Sequence, residues 1–300
     1  MTNSALPDIA VWNLGALYIQ GMRMTWVSTT TFNVAQGQCR DSTNQNDIVL
    51  ALPPENNGTA ITTPFTATST VVGVNGLDQG TIAASTLYYV YAIASSSNSS
   101  INIPPSPQQS QALPPFLTPS PTSPVVQDTY YVQSGILFSL SSTAPLLPYG
   151  YDMFRRIGCV RTDGSSHFLP FWQSGYGNNR RMVYQTAIAP GSAATTGSTT
   201  YATIGTLLNI VPQIGCDVLV DCSLIGNAAG DTLYLAPYGN TAAGDVTRMS
   251  TVATTYAQLA QLVCAGELNA AGTPVIEIDY KTTSGSDTVA FLIAGYVDQL

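Results

Sequence analysis

Lysine occurs once, at Lys281, and histidine once, at His167; nine Lys and Arg stand against seventeen Asp and Glu, and charged residues are only 9% of the chain. Typical globular chains are about 25% charged. A formal net charge of −8 with so few cations excludes nucleic acid as a partner, because neutralising phosphates takes clustered Lys and Arg. It equally disfavours anionic membrane surfaces. No apolar run approaches the about 18 residues of a spanning helix, and the first basic residue is Arg23, so the start lacks the charged region of a secretory signal. The expectation is a chain made and kept in solution, with no membrane insertion. Five cysteines, Cys39, Cys159, Cys216, Cys222 and Cys264, are odd in number and form no C-x-x-C pair. That speaks against a disulfide or zinc framework and for buried thiols.

What is present is 45% apolar residues in 300 positions, enough for two domains with real cores. With charge so scarce, Ser, Thr, Asn and Gln must cover the surface. Strand-like runs bounded by turn signals recur throughout: Ala16–Val27 as one or two strands around Gly21, Thr29–Val34, Ile48–Leu52, Phe65–Val72, Leu87–Ile93 and Tyr130–Leu140. In Leu87–Ile93, Tyr89, Tyr91 and Ile93 share one face. A turn is expected at Gln36-Gly37-Gln38. Phe154–Arg161 alternates, Thr162–Ser165 supplies a tight reversal, and His167–Trp172 reads as the returning strand of a β-hairpin. Gly175–Asn179 is a hinge candidate. Beyond it come Met182–Ile188, Tyr201–Ile210, Cys216–Leu224, Thr232–Pro237, Val275–Tyr280 and Val289–Val297, with one short helix expected over Thr254–Cys264. This spacing predicts an all-β protein of two β-sandwich or jelly-roll-like domains, residues 1–174 and 175–300. Residues 103–127 hold eight of the nineteen prolines and no charge, which predicts an extended insertion in the first domain, either an arm suited to touching another subunit or a disordered surface loop.

Candidate chemistry is sparse. His167 is the sole base for a Ser-His-Asp arrangement, and no G-x-S-x-G elbow accompanies it. The pairs Asp217/Asp221 and Glu277/Asp279 could serve glycoside cleavage, which needs two carboxylates about 5 to 9.5 Å apart. Glu277 and Asp279 read more simply as the solvent side of a strand whose core side is Ile276, Ile278 and Tyr280. Asp41, Asn44, Asn46 and Asp47 lie close enough for calcium, yet the D-x-D-x-D-G pattern is missing and a rigid loop bonded to its own backbone is the better reading. Arg156 shares a strand face with Phe154 and Val160; it is either a solvated arginine or a buried one paired with an acid of the first domain, Asp41 or Asp47. The sequons at Asn57 and Asn98 are what a Ser/Thr-rich chain yields by chance. No catalytic, cofactor-binding or metal residue is assigned.

Three blocks, Ala35–Ile48 (AQGQCRDSTNQNDI), Gly76–Tyr91 (GLDQGTIAASTLYYVY) and Pro148–Gly158 (PYGYDMFRRIG) followed by Arg161–Gly164 (RTDG), resemble a family of tailed-bacteriophage virion proteins, often tail-fibre or related appendage components. Gly230–Pro237 (GDTLYLAP) and Ser284–Val289 (SGSDTV) resemble the β-sandwich ends of such proteins. The proline-rich stretch departs from the family pattern. The resemblance implies a non-enzymatic short tail fibre or fibre-anchoring component in the virion, made in the host bacterial cytoplasm. Its N-terminal domain would attach to the particle. Partners would be its own copies as a homotrimer, other proteins of tail or head, and a host surface glycan. A capsid-bound head fibre or decoration protein is the alternative, and a glycan-cleaving tail spike a weaker one.

Overall fold

The structure, a computed structural model, describes residues 18–50, 65–95, 134–190, 194–239, 247–252, 257–269 and 275–300. Residues 1–17, the sequons and the proline-rich stretch 103–127 lie outside the described residues. Every regular element within them is a strand, so the chain is all-β, as expected. In order these are β1 (Ile19–Gly21), β2 (Met24–Trp26), β3 (Thr31–Val34), β4 (Gly37–Arg40), β5 (Asp47–Leu50), β6 (Phe65–Thr68), β7 (Gly76–Leu77), β8 (Leu87–Ala94), β9 (Ser134–Ser139) and β10 (Met153–Arg161). There follow β11 (Phe171–Tyr176), β12 (Asn179–Ile188), β13 (Ala194–Thr196), β14 (Ala202–Thr203), β15 (Cys216–Ile225), β16 (Thr232–Pro237), β17 (Thr247–Ser250), β18 (Ala257–Asn269), β19 (Val275–Thr282) and β20 (Thr288–Gln299).

Three sheets result. The orders are β1-β4-β5, then β10-β8-β9-β7, and a long sheet β17-β16-β19-β18-β15-β20-β12-β11-β2-β3-β6, with β13 beside β20 and β14 beside β19. In the first half an aromatic cluster fastens β3 of the long sheet to β8 and β9 of the four-stranded one. Phe138 meets Phe32, Tyr88 and Phe168 with ring centroids 6.0, 5.7 and 5.6 Å apart. All eight residues of β8 are buried, so both of its faces are covered, not only that of Tyr89, Tyr91 and Ile93. In the second half the alternation of β15 places Cys216, Val218, Val220, Cys222 and Leu224 inside. They join Leu233, Leu235, Ile276, Ile278, Val289, Phe291 and Ile293 in the core.

Five local expectations are corrected. Phe154–Arg161 and His167–Trp172 are not a hairpin. After the bridge Thr162↔Phe168 the two strands part, β10 pairing with β8 and β11 with β12 and β2. A bulge between Arg156 and Gly158 breaks the alternation of β10. It leaves Gly158 facing the long sheet so closely that a Cβ would lie 2.3 Å from Met24 Cε. The turn expected at Gln36–Gln38 is largely strand, because Gly37 opposite Gly21 lets β4 press against β1. Gly175–Asn179 is not a hinge but a two-residue reversal between β11 and β12, with Gly177 at φ 60°. The helix expected to end at Cys264 is strand β18, paired to β15 over ten positions. Of Tyr201–Ile210 only Ala202–Thr203 is strand.

Candidate functional site

His167 closes the Asp163 turn. Asp163 Oδ1 accepts the N–H groups of Ser165 (2.7 Å) and His167 (2.9 Å), and the His167 backbone bond holds this carboxyl below its ordinary value. The half-exposed imidazole lies 3.7 Å from Asp163 Oδ2. This is a turn lock, with its acid already committed to backbone.

The polar loop after β4 is likewise self-contained. Asp41 is buried and accepts from Gln45 N (2.9 Å), Asn46 N (3.2 Å), Thr43 Oγ1 (2.8 Å) and Asn46 Nδ2 (3.2 Å). Burial alone would raise its pKa, but these bonds outweigh it and hold the carboxyl low. Asp47 pairs with Arg40 at 3.3 Å. The loop therefore bonds to itself, as expected.

Arg156 is paired, but with neither Asp41 nor Asp47. Its Nη1 donates to both oxygens of Asp298, at 2.7 and 2.9 Å, and Nη2 donates to Gln299 O at 3.3 Å. The expected partner is wrong because both candidates are consumed locally, while β20 brings Asp298 from 142 residues away. Arg180, which sequence reasoning passed over, is 4% exposed and grips Gly177 O (3.0 Å), Met22 O (2.8 Å) and Gly21 O (2.6 Å). Strand alternation was the available signal: of the neighbours Arg180 and Arg181, one must point inward.

The carboxylate pairs are separated by their surroundings. Asp217 and Asp221 lie on the outer face of β15, where Asp221 accepts from Gln261 Nε2 at 2.8 Å. Asp279 is buried, not on the solvent side, and Gly239 N, just beyond β16, donates to its Oδ2 at 3.1 Å. Glu277 sits opposite Glu267 in the ladder. A hollow of about 540 Å³ lined by Asp78, Ser139, Ser141 and Leu146 holds one carboxylate, Asp78, already bonded to Ser139 Oγ (2.6 Å) and Leu146 N (3.1 Å). All five thiols are buried, and burial raises Cys39, Cys222 and Cys264 to about 12 and Cys159 and Cys216 higher still. None is a thiolate nucleophile at neutral pH.

Two acids lie near one another in the second half of the chain. Asp287 is fully buried and accepts Asn227 N (2.9 Å) and Ser284 N (3.3 Å). Asp231 accepts the neighbouring groups Ala228 N (2.6 Å) and Thr283 Oγ1 (3.2 Å), and its carboxylate charge adds to the burial that acts on Asp287. Burial raises Asp287, and the Ala228 N–H lowers Asp231. Asp287 therefore contributes stability that is complete below its unfolded pKa and lost as pH rises through its folded value. Asp231 contributes stability present above its unfolded pKa and lost as pH falls through its folded value. Asp287→Asn keeps a donor toward Asp231 and cannot ionise. Its melting temperature should gain on that of the parent as pH rises from about 4 to about 8. A difference between the two that stays constant over that range would show that Asp287 holds no proton.

The broadest surface feature is the outer face of the long sheet. Direct antiparallel partners share a face, so Val263, Leu219, Gly295, Val183, Trp172, Thr25, Asn33 and Thr66 form one row across eight strands from β18 to β6. From β18 to β11 the row carries Val263, Val183 and Trp172 at the surface with Leu219 buried between them, and it is polar from β2 to β6, where Thr66 Oγ1 donates to Asn33 Oδ1 at 2.8 Å. Trp172 is 58% exposed and Val263 48%, with Leu259 at 71% and Leu292 at 37% on the same side. The next row reads Ser174, Arg181, Val297, Asp217, Ala265. Arg181 Nη2 donates to Gln261 Oε1 at 2.9 Å, reaching from β12 across β20 and β15 to β18.

No family model and no curated protein matches the chain. Among solved structures, a chain of "Structure of infectious bursal disease virus Gx strain" aligns over 95% of this chain and 67% of its own, at 12% identity and a TM-score of 0.18. A likeness at that level carries neither fold nor function.

Proposed function

We propose that the chain is a non-enzymatic structural protein of a tailed-bacteriophage virion. It serves as a short tail fibre or fibre-anchoring component and is assembled as a homotrimer. Residues 1–174 attach to the particle, and residues 175–300 face outward toward a host surface glycan. The observation that carries the reading is the employment of the scarce ionisable groups. Asp41, Asp163, Arg156 with Asp298, and Arg180 each spend their bonds on a loop or on joining sheets, which is how a scaffold uses charge. The sequence blocks that resemble virion appendage proteins support the same reading, and the all-β architecture is compatible with it.

Imaging of intact particles of the encoding phage, labelled with an antibody against this chain, tests it. Label on the tail is the expected result; label on the capsid would make the chain a head fibre or decoration protein, and unlabelled particles would overturn the virion role. Release of sugars from host envelope glycans, lost in Glu277→Ala or Asp279→Ala, would overturn the non-enzymatic part.

A further inference from the structure

We propose that the hollow beside β7 and β9 is a docking site for a basic side chain, an arginine, carried on the surface of a different protein. The inference goes beyond the preceding reading, since it names a partner's chemistry and holds whichever particle the chain serves. Asp78, just past β7, lines the hollow with Ser139, Ser141 and Leu146, and its volume of about 540 Å³ falls in the usual range of ligand sites. The wall is fixed by its own bonds. Asp78 N donates to Phe138 O at 2.9 Å, Ser139 Oγ and Leu146 N donate to Asp78 Oδ2, and Gln79 N donates to Oδ1 at 2.8 Å. Ser141 N donates to Ser139 Oγ at 3.0 Å, Ala144 N to Ser141 Oγ at 3.2 Å, and Tyr91 Oη to Ser141 O at 2.6 Å.

All three donors to the Asp78 carboxylate are neutral, and none of the three ion pairs among the described residues includes it. A carboxylate has about four acceptor positions, so one on Oδ1 remains for a cation. Leu140 and Leu146, lining the same hollow, are 62% and 58% exposed. A carboxylate beside apolar walls suits a guanidinium on its methylene stem: the head makes a charge-assisted bond and the stem covers leucine. Copies of this chain are poor sources of that group. The chain has nine cations against seventeen acids. Arg23, Arg40, Arg156, Arg161, Arg180 and Arg181 already bond within their own chain, and Lys281 Nζ lies over the rings of Tyr201 and Tyr234 at 5.0 and 5.3 Å. The complementary charge therefore comes from a more basic partner.

Amide chemical shifts of the isotope-labelled full chain, titrated with a capped leucine-arginine-leucine tripeptide, test this. Shifts at Gln79, Ser141 and Leu146 should saturate in the millimolar range. The same peptide with citrulline in place of arginine, alike in shape and uncharged, should bind about tenfold or more weakly. Asp78→Asn should abolish the preference for arginine over citrulline. Leu140→Ser with Leu146→Ser, both exposed and so harmless to the fold, should weaken the two peptides alike. Equal binding of the two peptides to the parent, or shifts confined to residues away from the hollow, would overturn the site; neither outcome depends on how a variant folds, and either leaves the virion reading standing. An arginine preference that survives Asp78→Asn, in a chain of unchanged circular dichroism, would overturn Asp78 as the recognising group.

Discussion

Arg156→Ala should destabilise the chain by about 3–5 kcal/mol, measured as a lowered denaturant midpoint, because it leaves a buried carboxylate without its cation. Asp298 is 2% exposed and Arg156 keeps 13% of its side chain in contact with solvent, so water cannot replace either partner. Burial works against the guanidinium charge, but the carboxylate beside it wins and raises the Arg156 pKa. Burial also lifts Asp298 above its ordinary value despite Arg156. The pair is thus held by geometry, one nitrogen on two oxygens at 2.7 and 2.9 Å, more than by any surplus of charge energy. It follows that Arg156→Met with Asp298→Leu should recover most of the loss, since an apolar pair avoids the desolvation that the ions suffer. An unchanged midpoint in Arg156→Ala would mean that solvent reaches Asp298.

Phe138→Ala should cost a similar about 3–5 kcal/mol, for a different reason. Phe138 is fully buried where the two layers of the first half meet, and three rings pack on it. Its removal opens a cavity bounded by β3, β8 and the segment after the Asp163 turn, which belong to different sheets and cannot all move inward. Phe138→Leu should lose distinctly less. Equal losses in the two variants, compared by equilibrium denaturation, would indicate that the cluster collapses around the gap.

The sequence made legible those strands whose two faces differ. β16, Thr232–Pro237, coincides with its expected span, and β15 is extended by one residue, because Asp217, Asp221 and Ser223 alternate with Val218, Val220 and Cys222. β18 was illegible for the opposite reason. Leu259, Leu262 and Val263 have the i, i+3, i+4 spacing of a helix, and Ala, Gln and Leu favour one. Tertiary pairing to β15 overrides that propensity, and the outward-facing Leu259 and Val263 erase the alternation that would have revealed a strand. Local side-chain bonding was readable at Asp41, whose partners are within five residues. The partner of Arg156 was not, since nothing local in a sequence marks a contact spanning 142 positions. The Thr162–Ser165 reversal was real, but alternation on either side of a turn cannot say whether the strands stay together or part into separate sheets.

The position of β20 has a consequence for synthesis. This strand, the last in sequence among those of the described residues, lies between β15 and β12 and carries Asp298 to Arg156. While a ribosome is still making it, β12 and β15 have no neighbour to join them, and β10 has an unmatched guanidinium. The long sheet is then two fragments with open edges, each able to capture a strand from another nascent chain. Folding of the shared layer must wait for Thr288–Gln299, so early translation yields no finished half. Quality control is built into the strand order: a chain that stops short cannot present the completed surface.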